Sequence, residues 1–186
     1  HSRDVSLKVY ADARNLAADV AGRAIDLAYG GLGPDQVRRL RDDPGVRLVS
    51  GPGGELRFLM FDLDSMPYGA RRPDADPRRA QAVRTAVADL VDRDAIAEQV
   101  DAGTTAPLWG FTSDHLPGAE PVLRGITGDG RGHPDASAAE QELDAADVDV
   151  PVHLRIAAVP GPDGADPAPE LRALQAQLER SGLVVV

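Results

Sequence analysis

Cysteine is absent from all 186 residues. Its absence excludes a disulfide framework and any thiolate metal site. Lysine occurs once, at Lys8, so nearly all positive charge is arginine, and the formal net charge is −10. A phosphate-binding surface needs clustered Lys and Arg; no basic stripe is present, which argues against nucleic acid as a partner. Acidity of this kind is chiefly a solubility property. Aromatic residues make up 4% of the chain, with a single tryptophan, so Val, Leu and Ala must fill the core. No apolar run reaches the ~18 residues of a membrane-crossing helix. No secretory leader is visible either.

What is present suits a globular chain. The length fits one domain or one lobe of a larger protein. The apolar share of 42% suffices for a core, and 19 glycines and 15 prolines imply many turns. The chain opens on HSRDVSLKVY, already close to a strand, and stops on LVVV. Both ends are therefore expected to be cuts, with His1-Ser2 a cloning remnant and open sheet edges that allow two copies to pair.

Hydrophobic period and turn residues divide the chain. SLKVYA alternates as a strand. Leu16, Val20 and Ala24 share helical spacing over residues 14–24. IDLAYGGL reads as a strand running into a glycine turn. Pro34 sits at a helix start, and Val37 and Leu40 follow at helical spacing. VRLVS is a further strand, and GPGG (51–54) is a turn. ELRFLMFDLDS is the strongest strand, with Leu56, Phe58 and Met60 on one face and Leu59, Phe61 and Leu63 on the other. Apolar residues on both faces predict a strand covered from both sides. Asp76-Pro77 starts a helix whose buried face is Val83, Ala86, Val87 and Leu90. Asp92 caps a second short helix, with Ile96 and Val100 inward and Gly103 as its stop. Residues 104–135 are rich in loops. ASAAEQELDAADV is a helix, VPVHLRIAAV a strand, GPDGADPAP a turn and ELRALQAQLERSG an amphipathic helix stopped by Gly182. LVVV begins another strand. Strands alternating with helices predict an α/β fold, divided into a first segment, 1–55, and a second, 56–186.

Few segments carry chemistry. TTAPLWGFTSDHLPG (104–118) holds the only tryptophan on a loop after a rigid helix pair, which suits a ligand cleft at Trp109, Gly110 and Phe111. The same aromatics could instead plug the loop onto the core. Ser113, Asp114 and His115 are triad residue types, but adjacency does not make side chains converge, and no G-x-S-x-G elbow is present. Asp129, His133 and Asp135 in GDGRGHPD lack calcium-loop spacing and read as a turn. GGLG (30–33) and GPGG lack the features of a phosphate loop. Asp62 and Asp64 share a strand face without a pocket. No catalytic residue, metal site or cofactor is expected.

One ordered set of segments is more specific. FLMFDLDSMP, a loop, and AVRTAVADLVDRDAIAEQVDAGTTAP resemble the peptide- and nickel-binding family of ABC-transporter solute-binding proteins. The matching positions are Phe61, Pro67, Val83, Arg84, Ala86, Asp92, Arg93, Ile96, Gly103 and Pro107. VAGRAIDLA, AAEQELDAADVDVPVHLRI and LRALQAQLERSGLVV resemble its flanking segments, in family order, over nearly the whole chain. Three departures stand out: Asp62 where Asn is usual, the insertion GARRPDADP, and no glycine in DAADVD (144–149). The resemblance implies a mixed-sheet lobe of a two-lobed, class II periplasmic-binding-protein-like fold, most of it the second lobe. It implies capture of peptides or a related small solute by lobe closure, delivery to ABC permease subunits, an extracytoplasmic location with a lipid-anchored parent, and no enzymatic activity. A sensor or interaction module without transport is the alternative; an α/β hydrolase-type enzyme is weaker still, because fold class alone supports it.

Overall fold

The computed structural model describes residues 4–51, 53–113, 116–159 and 166–186. The chain forms two compact units, His1–Ser50 and Gly51–Val186.

In the first unit, helix α1 (Ala13–Ala21) starts because Asp12 is extended and its carboxylate accepts the Arg14 N–H at 2.6 Å. It buries Leu16 and ends at Gly22, so Ala24 falls beyond it. Helix α2 (Pro34–Arg41) has Pro34 in its first turn, where the missing N–H costs nothing. Asp35 near its start and Arg38, Arg39 and Arg41 near its end complement the helix dipole. Val37 and Leu40, one turn apart, are buried.

The three strands predicted here, SLKVYA, IDLAYGGL and VRLVS, do not form among the described residues. Leu7, Val9, Leu27, Tyr29 and Val49 are all exposed. Alternation marks a segment able to join a sheet; the ladder itself needs a neighbour to take its N–H and C=O groups. The glycine turn does form, with Gly30 and Gly31 both at positive φ.

The second unit opens on a similar correction. The segment 55–63 has no ladder partner, and Phe58 and Met60 are 77% and 84% exposed rather than covered on both sides. Only Phe61 packs on the core. Asp62 then folds the following turn, accepting the Asp64 N–H at 3.0 Å and the Ser65 hydroxyl at 2.5 Å. A carboxylate thus makes the Asx-type turn that Asn would make.

Helix α3 (Pro77–Leu90) follows with the predicted start: Asp76 accepts the Arg78 and Arg79 N–H groups at 2.9 and 3.1 Å. It buries Val83, Ala86, Val87 and Leu90, as its spacing predicts. A short α4 (Arg93–Ala95) runs into one π-helical turn, Ile96–Val100. Helix α5 (Ala136–Ala145) packs antiparallel to α3. The Asp135 N–H donates to the Asp89 carbonyl at one end of the pair; at the other, Arg79 meets Asp147 at 2.5 Å and the Arg78 guanidinium donates to the Ala145 carbonyl.

Strand β1 (Val152–His153), helix α6 (Ala168–Glu179) and strand β2 (Val184–Val185) form a β–α–β unit. Its strands are parallel, with Val152 opposite Val184, and a parallel pair requires a crossover such as α6. The Val152 and Leu154 N–H groups donate to Leu183 O and Val185 O, each at 2.8 Å. The expected mixed sheet is therefore two-stranded and parallel among the described residues. Leu143, Leu178, Val83 and Val184 are almost wholly buried at the centre of the core, which α3, α5, α6 and the strand pair share.

The missing glycine of DAADVD has a structural answer. The Val148 N–H donates to Leu143 O at 3.0 Å and the Asp147 N–H to Asp144 O at 2.9 Å, so α5 ends in a Schellman motif. Its left-handed position, φ 57, is held by Asp147.

Candidate ligand-binding loop

The loop 101–135 leaves the helix pair at a strained corner. Asp92 separates α3 from α4; its carboxylate accepts the Ala95 N–H at 2.8 Å. Its main chain is closed by Gln177 of α6, whose side-chain amide accepts the Asp92 N–H at 2.9 Å and donates to the Asp92 carbonyl at 3.2 Å. The π turn then passes its last bond from the Asp101 N–H to Ile96 O. Ala102 and Gly103 follow, both at positive φ, and the Gly103 N–H returns to Ala97 O at 2.8 Å. Gly103 thus stops the helix, as its position predicts.

Two carboxylates are buried beside this corner. Asp101, 7% exposed, takes the Arg57 guanidinium at 3.1 Å and the Thr105 hydroxyl at 2.8 Å. Arg57 also reaches Glu170 of α6 at 3.3 Å. Asp89, 3% exposed on α3, accepts the Gly128 N–H at 2.6 Å. Burial pushes the Asp89 carboxyl above the ordinary carboxylate range, against the pull of that hydrogen bond. Neither residue stands out by motif. The available signal for Asp89 is a charged residue inside the apolar pattern VADL, where an unpaired charge would be costly.

The three residues singled out as a ligand site adopt different roles. Trp109 is 7% exposed; the Arg93 guanidinium lies 4.6 Å from its ring centroid, and its carbonyl accepts the Leu123 N–H at 2.8 Å. Burial lowers the Arg93 pKa, while Asp89 opposes that shift. Gly132, at φ +109, lies against the ring: a Cβ there would come within 3.1 Å of Trp109 Cζ2. Gly110 is required by close approach, because a Cβ would meet the Glu120 carbonyl at 2.5 Å. Phe111 stands 81% exposed at the end of this anchored stretch. Asp114 and His115 lie outside the described residues. An open groove of about 540 Å³, lined by Leu154, Ile156, Leu171 and Val186 among others, lies elsewhere and does not include Trp109 or Phe111.

The turn 128–135 closes on itself as its residues predict. Asp129 accepts the Arg131 and His133 N–H groups at 2.7 and 3.0 Å and meets His133 Nδ1 at 2.8 Å. The His133 contact holds the Asp129 carboxyl well below its usual range and raises the His133 pKa. Asp135 is spent on capping α5, through the Ser137 and Ala138 N–H groups. Among the described residues no group of three His, Asp or Glu side chains could hold a metal ion. Among the described residues no helix is long and apolar enough to cross a membrane.

The family model described as "Bacterial extracellular solute-binding proteins, family 5 Middle" matches residues 1–186. No curated protein and no solved structure matches.

Proposed function

Because the chain belongs to the family 5 bacterial extracellular solute-binding proteins, we propose that it contributes one wall of a site that captures a peptide or related small solute for an ABC importer. The family binds solutes outside the cytoplasm. What supports the finer reading is Phe111: an exposed aromatic on a stretch anchored by the buried Trp109 and by the backbone approach at Gly110. Exposed aromatics on anchored loops give contact area at small entropic cost. Ligand held between two lobes stabilises the closed state through contacts made only there. Peptide main chain is commonly held by backbone hydrogen bonds, which tolerates many side chains. The work is binding, with no bond made or broken, and the ABC permease subunits are the downstream partners.

The test is a thermal-shift screen of the protein from its complete reading frame, beside this chain, against di- to pentapeptides and nickel chelates. Saturating ligand at ~100 times its Kd adds about 2.7 kcal/mol to the stability of the state that binds it. A rise for the complete protein and none for this chain alone is the expected result. No rise with any of them would overturn the peptide assignment.

A further inference from the structure

We infer that Asp101 is a positioning residue for the loop 104–111, acting through Arg57 and Thr105; this rests on reading that loop as one wall of the ligand site. Three observations converge on Asp101. It is buried directly after the π turn, where the chain must leave the helix through two successive left-handed residues, Ala102 and Gly103. π turns are often found at functional sites. Its side chain takes the Thr105 hydroxyl at 2.8 Å, and its carbonyl takes the Thr104 hydroxyl at 2.6 Å, so both threonines that start the loop are tied to one residue. Its second carboxylate oxygen takes Arg57 at 3.1 Å, from a segment 44 residues away, and Arg57 continues to Glu170 at 3.3 Å. Sequence-local and sequence-distant restraints therefore meet on one carboxylate six residues before Pro107-Leu108-Trp109. Arg57 lies in the segment 55–63, which has no strand partner among the described residues. Its ion pairs with Asp101 and Glu170 make that segment a strut for the loop start.

The only tryptophan of this chain reports on the loop without any ligand. Acrylamide quenching of Trp109 fluorescence is compared in wild type, Asp101→Asn, Arg57→Met, Arg57→Lys and Thr105→Val, with far-UV circular dichroism as a check on folding. The quenching constant is expected to rise roughly threefold in Asp101→Asn and Arg57→Met as the loop opens locally. Thr105→Val should rise less, and Arg57→Lys should return most of the way to wild type. Quenching unchanged in both Arg57→Met and Thr105→Val, two variants that leave the core intact, would overturn the inference. The same substitutions in the complete protein are titrated with trialanine, where about tenfold weaker binding is expected for Arg57→Met. Wild-type affinity in a variant with raised quenching would also overturn it. A wild-type protein that ignores trialanine counts against the proposed function instead, and quenching alone then decides the positioning role.

Discussion

At the scale of single residues, Asp89 is the least expected by hydropathy: a carboxylate on the buried side of α3, neighboured by Glu142 and Asp135 and only partly offset by Arg93. Its folded pKa is raised above its unfolded value, so the folded state holds the proton to higher pH. The contribution to stability is therefore fully present below the unfolded pKa and is lost as pH rises through the folded one. Asp89→Asn keeps an oxygen for the Gly128 N–H and removes the buried charge. It should be at least as stable as wild type at pH 7, with the difference shrinking toward pH 4 in urea melts. Asp89→Ala leaves the Gly128 N–H unpaired and should lose about 1–3 kcal/mol at either pH. A variant Asp89→Asn that is less stable at pH 7 than at pH 4, relative to wild type, would contradict this sign.

Asp147 gives a second residue-scale prediction. A non-glycine residue in the left-handed region costs about 1–2 kcal/mol, less for Asp than for most. Its ion pair with Arg79 is solvent-exposed and offsets little of that. Asp147→Gly should stabilise the protein by roughly 0.5–1 kcal/mol, measured by chemical denaturation. Asp147→Val should destabilise it, since a branched side chain tolerates that φ worst.

At the scale of elements, local grammar decided what the sequence could reveal. Asp76-Pro77, Asp92, Gly103 and Gly182 each set a helix end through bonds to residues a few positions away, and each does so in the structure. The apolar face of α3 was legible for the same reason. Four predicted strands failed because a strand is completed by a partner distant in sequence, and period two records only the capacity to pair. The candidate site divides along the same line. Trp109 and Phe111 were conspicuous as rare aromatics on a loop. Asp89 and Asp101 were not, because Gly128 and Arg57, which they bind, lie 39 and 44 residues away. Asp147 was hidden because nothing in DAADVD announces a left-handed residue. Hydrogen exchange checks this division. Amides of 56–60 should exchange near the unprotected rate while Val83–Leu90 are slowest. Strong protection of 56–60 would mean that this segment is paired in solution.

At the scale of the whole molecule, anchoring and recognition should separate. Trp109→Ala removes a buried ring held beneath Arg93 and should destabilise the protein by about 3–5 kcal/mol. Phe111→Ala removes an exposed ring, so stability should stay within ~0.5 kcal/mol while peptide affinity of the complete protein falls. Equal loss of stability in both variants would assign Phe111 to the core instead.

The uncovered run Leu56-Arg57-Phe58-Leu59-Met60 also bears on colloidal behaviour. Such an apolar run is a template for intermolecular association, and the charges that flank and interrupt it act as gatekeepers: Glu55, Arg57, Asp62 and Asp64. At neutral pH the net charge of −10 keeps molecules apart. That repulsion vanishes near the isoelectric point of about 4.7. Turbidity should therefore peak there, and Phe58→Lys should flatten the peak.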